Sequence, residues 1–109
     1  MRIEINLQEG LAAGLKDKVR RQVAFKLGNK AASVEHVRVS LKTLNLAEDQ
    51  PWYVCDISAK LKNGKSHSAQ LRNRQPNICI ADTTSRLARS INRETQLFSR
   101  PGLADTARS

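Results

Sequence analysis

Residues 76–98 read PNICIADTTSRLARSINRETQLF, and the reading of this stretch decides the fold. A helix advancing about 100° per residue puts Ile80, Thr84, Leu87, Ala88, Ile91, Thr95 and Phe98 on one arc, its core side. The same pitch gathers Asp82, Arg86, Arg89 and Arg93 opposite, so three guanidinium groups recur about once per turn along a solvent-facing ridge. Such a ridge suits a regularly spaced anion, of which phosphate backbone is the commonest. Three arginines on a surface helix can equally be its solvated face. Pro76 fits the first helical position, where a missing N–H costs nothing. Pro101 disfavours helical geometry at Arg100, so the helix ends near Ser99.

Working upstream, Trp52–Leu61 and Lys65–Arg72 read as strands joined at Lys62-Asn63-Gly64. A two-residue turn at Asn63-Gly64 would pair Ile57 with Gln70 and Asp56 with Leu71, mixing polar and apolar side chains on each face. A three-residue loop with Gly64 in the left-handed region pairs Ile57 with Ala69 and Cys55 with Leu71 on one face. It pairs Ser58 with Ser68 and Asp56 with Gln70 on the other. Only this register sorts the faces, and it is the one expected.

Two further segments alternate. Val34–Leu44 turns Val37, Val39 and Leu41 inward and His36, Arg38, Ser40 and Lys42 outward, and Arg2–Leu7 puts Ile3, Ile5 and Leu7 on one side. Ala47–Pro51 is an acidic, proline-closed loop. Between the first two strands a helix is expected from about Leu11 to Leu27, with Ala12, Leu15, Val19, Val23 and Leu27 inside and Gly28-Asn29 as its cap. Asp17, Lys18, Arg20 and Arg21 lie outside, while Lys16 and Lys26 sit at the margins, where their stems can cover the core edge. Phe25 falls off the inner arc. That predicts a distortion before the helix ends; an undistorted helix would leave Phe25 an exposed aromatic.

The order β-α-β-β-β-α specifies an α+β fold, a four-stranded mixed sheet with both helices on its one apolar face. The first crossover is right-handed, making strands one and two parallel and the rest antiparallel. The other face, with Arg38, Lys42, Ser58, Lys60, Ser66, Ser68 and Arg72, is left to water. Without its first strand this topology resembles double-stranded RNA-binding domains, which cluster lysines at the N-terminus of the last helix. Pro76–Asp82 contains none, which weighs against ordinary duplex binding.

The chain's 109 residues suit one domain, expected over residues 1–99 with 100–109 a frayed tail. Nineteen Lys and Arg against ten Asp and Glu give a net charge of +9. Self-repulsion of that size is best tolerated beside a polyanion, nucleic acid first and anionic membrane second. No run approaches the ~20 apolar residues of a membrane span, and Met1–Asn6 lacks a signal-peptide core, so a cytoplasmic protein is expected. Cys55 and Cys79, without CxxC spacing, read as small buried apolar residues. His36 and His67 occupy different strands, Asp56 and Asp82 are single carboxylates, and Gly10 and Gly14 belong to no phosphate-cradling loop. No catalytic constellation, metal set or cofactor site can be assembled, so an enzyme is not expected. Adjacent Trp52 and Tyr53 point to opposite faces, which argues against a shared stacking platform.

With its elements in this order the chain resembles the ribosome hibernation-promoting factor family, small bacterial proteins that bind the small ribosomal subunit and silence idle ribosomes. The likeness covers residues 1–95. It is most specific at Arg86-Leu87-Ala88-Arg89-Ser90-Ile91-Asn92-Arg93, which resembles the family's basic-Leu-Ala-Arg-x-aliphatic-x-basic segment. Cys79-Ile80-Ala81 precedes it where members often carry Ala-Ile-Asp, and the Val37–Leu41 strand and Asn63-Gly64 hairpin fall in matching places. The resemblance implies that basic side chains of both helices contact 16S rRNA around the decoding region, blocking the sites of messenger and transfer RNA. That role falls on Arg86, Arg89, Arg93 and Lys16. Two further basic positions of the family's first helix read Gln22 and Phe25 here, with Arg20, Arg21 and Lys26 supplying charge nearby. The family's tyrosine near the start of the last helix reads Asn77, and its aspartate reads Ala81, with Asp82 displaced by one.

The resemblance thus implies a non-catalytic, stress-related translation inhibitor whose partner is the small ribosomal subunit. It implies no cofactor, metal, membrane or small-molecule substrate, and a monomer off the ribosome, since the long C-terminal extension that pairs ribosomes is absent. The two helices are expected to aim their cationic flanks at one common polyanion. The alternatives are a free-standing RNA-binding or RNA-chaperone domain, and a protein-interaction adaptor using the polar sheet face or the fourth strand.

Overall fold

Alternation of apolar side chains along each strand produces one greasy sheet face, and the structure covers that face with two helices. The computed structural model describes residues 1–8, 10–11, 14–44 and 51–99, with side chains described as far as Glu94. The elements are β1 (Arg2–Leu7), α1 (Gly14–Leu27), a 3-10 turn (Gly28–Lys30), β2 (Val34–Leu44), β3 (Trp52–Leu61), β4 (Ser66–Asn73) and α2 (Pro76–Ser99). Sheet order is β1-β2-β3-β4, with β1 parallel to β2 and the other two pairs antiparallel. This is the α+β arrangement the sequence predicts.

The hairpin takes the face-sorting register: Ile57 pairs with Ala69, Cys55 with Leu71, Ser58 with Ser68 and Asp56 with Gln70. Gly64 has φ +91°, a conformation side-chain-bearing residues rarely adopt. Asn63 Oδ1 accepts the Lys65 N–H at 2.9 Å, closing the loop with an Asx contact. At the far end of β4, Asn73 Oδ1 accepts the Gln75 N–H at 2.8 Å and turns the chain into Pro76.

Val19, Val23, Leu27, Val37, Val39, Leu41, Ile57, Leu87 and Ile91 are fully buried and form the centre of the core. The buried arc of α2 is wider than the sequence arc, because Cys79 and Thr83 are also buried toward β3 and β4. Thr83 and Thr84 donate their hydroxyls to the carbonyls of Cys79 and Ile80, each at 2.6 Å, so neither buried hydroxyl is left unsatisfied. The Cys79 thiol donates to the carbonyls of Tyr53 and Leu71, both at 3.4 Å.

Five expectations change. Gly28 is not a left-handed cap: Gly28–Lys30 follows α1 as a 3-10 turn, and the positive-φ glycines among the described residues are Gly10 and Gly64. The first helix begins at Gly14 instead of Leu11, because Gly10, at φ +94°, turns the chain and the Leu11 N–H donates to the Gln8 carbonyl at 3.3 Å. The helix is not distorted near its end: it runs to Leu27, and Phe25 stays 83% exposed. Burial of Val23 and Leu27, one turn apart, fixes the inner face, and Phe25 lies off it. In β2, Val34 as well as Val37 is buried, which strict alternation forbids; a bulge between Val34 and His36 resets the phase. Finally, β4 runs from Ser66 to Asn73, one residue later than expected at each end. Ala12, the 47–50 part of the acidic loop, the side chains of Thr95 and Phe98, and the expected tail lie outside the described residues.

Candidate nucleic-acid interface

On α2, Arg86, Arg89 and Arg93 are all exposed, held there by the burial of Ile80, Leu87 and Ile91 beneath them. Arg86 and Arg89 border a shallow groove with Asp82, Ser85 and Leu71, which places them on the β4 side of the helix. On α1, Lys16, Arg20 and Arg21 are exposed and Lys26 is half-buried at the core margin. A groove between the helices, lined by Lys18, Arg21, Gln22 and Phe25 with Asn77 and Ile80, identifies the flank of α1 that faces α2. At 100° per residue from buried Val19, Lys16 and Arg20 fall on the opposite flank.

The seven residues singled out from the sequence therefore do not converge on one patch. Arg86 and Arg89 share one groove, Arg21 lines another, and Lys16 and Arg20 lie outboard of both. They spread as a layer of separated cations over the helical side, Arg86 and Arg89 on the β4 flank of α2 and Lys16 and Arg20 on the flank of α1 away from α2. Lys18 joins Arg21 in the interhelical groove and was not among the seven; its i, i+3 and i+7 spacing with Arg21 and Phe25 was the legible signal.

What makes this layer available to an external anion is the absence of carboxylate partners among the described residues. Among the described residues, none of the seven cations has a carboxylate within 4.0 Å; the ion pairs lie at His36, Arg38, Lys65 and His67. Glu94, next to Arg93 in sequence, is turned under α2 toward the hairpin. It accepts from Asn63 Nδ2 at 3.1 Å, contacts His67 Nε2 at 2.5 Å and lies 3.9 Å from Lys65 Nζ. Partial burial on its own would raise the Glu94 pKa. Hydrogen bonds from Asn63 and His67, with the charges of Lys65 and His67, outweigh it and hold the carboxyl below its ordinary range. The charge of Glu94 thus clamps the hairpin to α2 and does not pair with the arginine ridge, whose one carboxylate neighbour in the groove, Asp82, lies beyond 4.0 Å of all three guanidinium groups.

The sheet face is organised differently. Glu4 lies 3.4 Å from His36 and 3.7 Å from Arg38, and its pKa is lowered by the hydrogen bond from Asn6 and the Arg38 charge. Arg72 and Arg74 stack over Trp52, 5.3 and 4.7 Å from the ring centroid, while Tyr53 packs against the core on the other face.

Cys55 and Cys79 are buried free thiols. Desolvation pushes Cys55 up to about 12 and raises Cys79, so neither is an activated nucleophile at neutral pH. Among the described residues no group of three or more His, Cys, Asp or Glu could hold a metal ion, and no helix is long and apolar enough to cross a membrane.

No protein-family model and no curated protein sequence matches the chain. Solved structures do. A ribosomal subunit interface protein from Coxiella burnetii superposes with a TM-score of 0.73 at 12% identity, covering 88% of this chain and 99% of that one. The N-terminal domain of protein Y from Thermus thermophilus gives 0.67 at 17% identity, covering 85% and 98%. The expectation raised by the basic-Leu-Ala-Arg segment is thus met in the backbone: this chain shares the fold of a ribosomal subunit interface protein and of protein Y's N-terminal domain.

Proposed function

We propose that the chain is a non-catalytic translation inhibitor of the hibernation type, acting in the cytoplasm under stress. Its helical side docks on the 16S rRNA of the small ribosomal subunit and blocks messenger and transfer RNA by occupancy. The observation that carries this reading is the row of Arg86, Arg89 and Arg93, exposed and without carboxylate partners among the described residues, on a fold shared with a ribosomal subunit interface protein. Guanidinium groups about one turn apart match phosphate oxygens without base-specific contacts, as suits a factor that reads RNA shape. Residues 1–99 would form the binding domain, acting as a monomer.

Co-sedimentation with purified small ribosomal subunits tests this. Replacing Arg86, Arg89 and Arg93 together by Ala is expected to weaken binding on the order of a hundredfold at low salt, with the fold intact because all three are exposed. Undiminished co-sedimentation would reject the site. Comparable affinity for a bare RNA duplex would favour a free-standing RNA-binding domain instead, and a complex that survives nuclease would favour a protein adaptor.

A further inference from the structure

The groove between α1 and α2 has a composition that a phosphate-only contact does not require. Its volume is about 460 Å³, within the range of small-molecule sites. Ile80 lies at its base, and Lys18, Arg21, Gln22, Phe25 and Asn77 line the rest. Phe25, at 83% exposure, is the most exposed large apolar side chain among the described residues. Water contact with a whole phenyl ring is unfavourable, and α1 keeps it there without distortion.

The lining combines a flat π-face, two cations and two side-chain amides, and among the described residues no carboxylate lines the groove. An occupant matching all three carries an aromatic face, a negative charge beside it, and an edge of donors and acceptors. A nucleotide has all of these. A duplex does not fit the match, because its bases are already stacked on one another.

We propose that this groove seats one unpaired nucleotide of the bound RNA. The base stacks on Phe25, the flanking phosphates lie at Lys18 and Arg21, and the base edge meets the amides of Gln22 and Asn77. The site rests on the RNA-binding reading above and refines it, making the helical side a reader of single-stranded as well as phosphate structure.

The test uses the full chain, purified small ribosomal subunits, and two fluorescent probes: a short single-stranded oligoadenylate and a blunt RNA duplex of equal length. Phe25→Ala and Phe25→Leu are expected to weaken oligoadenylate binding on the order of tenfold, because Leu keeps apolar bulk but lacks the π-face, while Phe25→Trp retains it. The dependence on salt should not change, since stacking displaces no counterions, and duplex binding should be little affected. All three variants should fold, the side chain being exposed.

Equal oligoadenylate binding by wild type and Phe25→Ala would overturn the groove site, as would full retention by Phe25→Leu or failure of wild type to bind oligoadenylate. If salt-dependent binding to ribosomal subunits persists in any of these cases, the ribosomal reading survives alone. Loss of that binding in the wild type would remove both.

Discussion

The helical layer and the open sheet face both carry cations, but they treat them differently. On the sheet face Arg38 lies against Glu4 and Arg72 and Arg74 stack on Trp52, although Lys42 and Lys60 there also have no carboxylate within 4.0 Å among the described residues. On the helical side the arginines of α2 and the exposed cations of α1 have no carboxylate within 4.0 Å among the described residues, and Glu94 is drawn away to the hairpin. A net charge of +9 says only that a polyanion is welcome. The pairing pattern favours the helical side for the docking proposed above, because a cation already engaged by a neighbour gains less from a phosphate.

The largest expected effect concerns what holds the helical layer in place. Leu87 is fully buried, and Leu87→Ala should cost about 2–5 kcal/mol in chemical unfolding, whereas Arg89→Ala on the same helix should stay within about 0.5 kcal/mol. Equal costs would mean that the arginine row also serves the fold.

Salt comes next. If about six phosphates are engaged, raising salt from about 50 to about 200 mM should lower ribosome affinity by roughly two to three orders of magnitude. Alanine at Arg86, Arg89 and Arg93 should flatten the log–log slope by about three, and alanine at Lys42 and Lys60 should leave it unchanged. A flattened slope in the sheet-face variant would break the distinction between the two surfaces.

The hairpin clamp predicts a smaller, pH-dependent effect. The folded-state pKa of Glu94 lies below its unfolded value, so its contribution is fully present above the unfolded value and is lost as pH falls through the folded one. Glu94→Gln should therefore lower the melting temperature modestly at neutral pH, with the difference from wild type shrinking as the medium is acidified through the carboxylate range. A difference that grows on acidification would contradict the assignment.

Smallest of all is the expected response of Trp52, the chain's single tryptophan, which sits on the sheet face under Arg72 and Arg74. Its emission maximum should not move when ribosomal subunits are added. A clear blue shift would put RNA on the wrong face.

The fold was legible because the faces sort in only one way. Pairing Ile57 with Ala69 and Cys55 with Leu71 follows from side-chain polarity alone, and α2 follows from its apolar spacing. The bulge at Val34 was hidden because one extra residue leaves the rest of the alternation intact. Phe25 was misjudged because a large apolar residue off the inner arc looks like a fault in the helix, and only the burial of Leu27 beyond it shows the helix to be regular. The cations of the site were legible as residues but not as a surface. Which flank of α1 faces α2 depends on how the helices pack, so the separation of Lys16 and Arg20 from Arg21 could not be read from spacing.

Lysine footprinting tests the central claim most directly. Acetylating the protein with and without small ribosomal subunits, then mapping modified residues by mass spectrometry, compares both surfaces in one sample. Lys16 and Lys18 on α1 should lose reactivity in the complex, while Lys42 and Lys60 on the sheet face keep theirs. Protection of Lys42 and Lys60 with Lys16 and Lys18 still reactive would contradict docking through the helical layer.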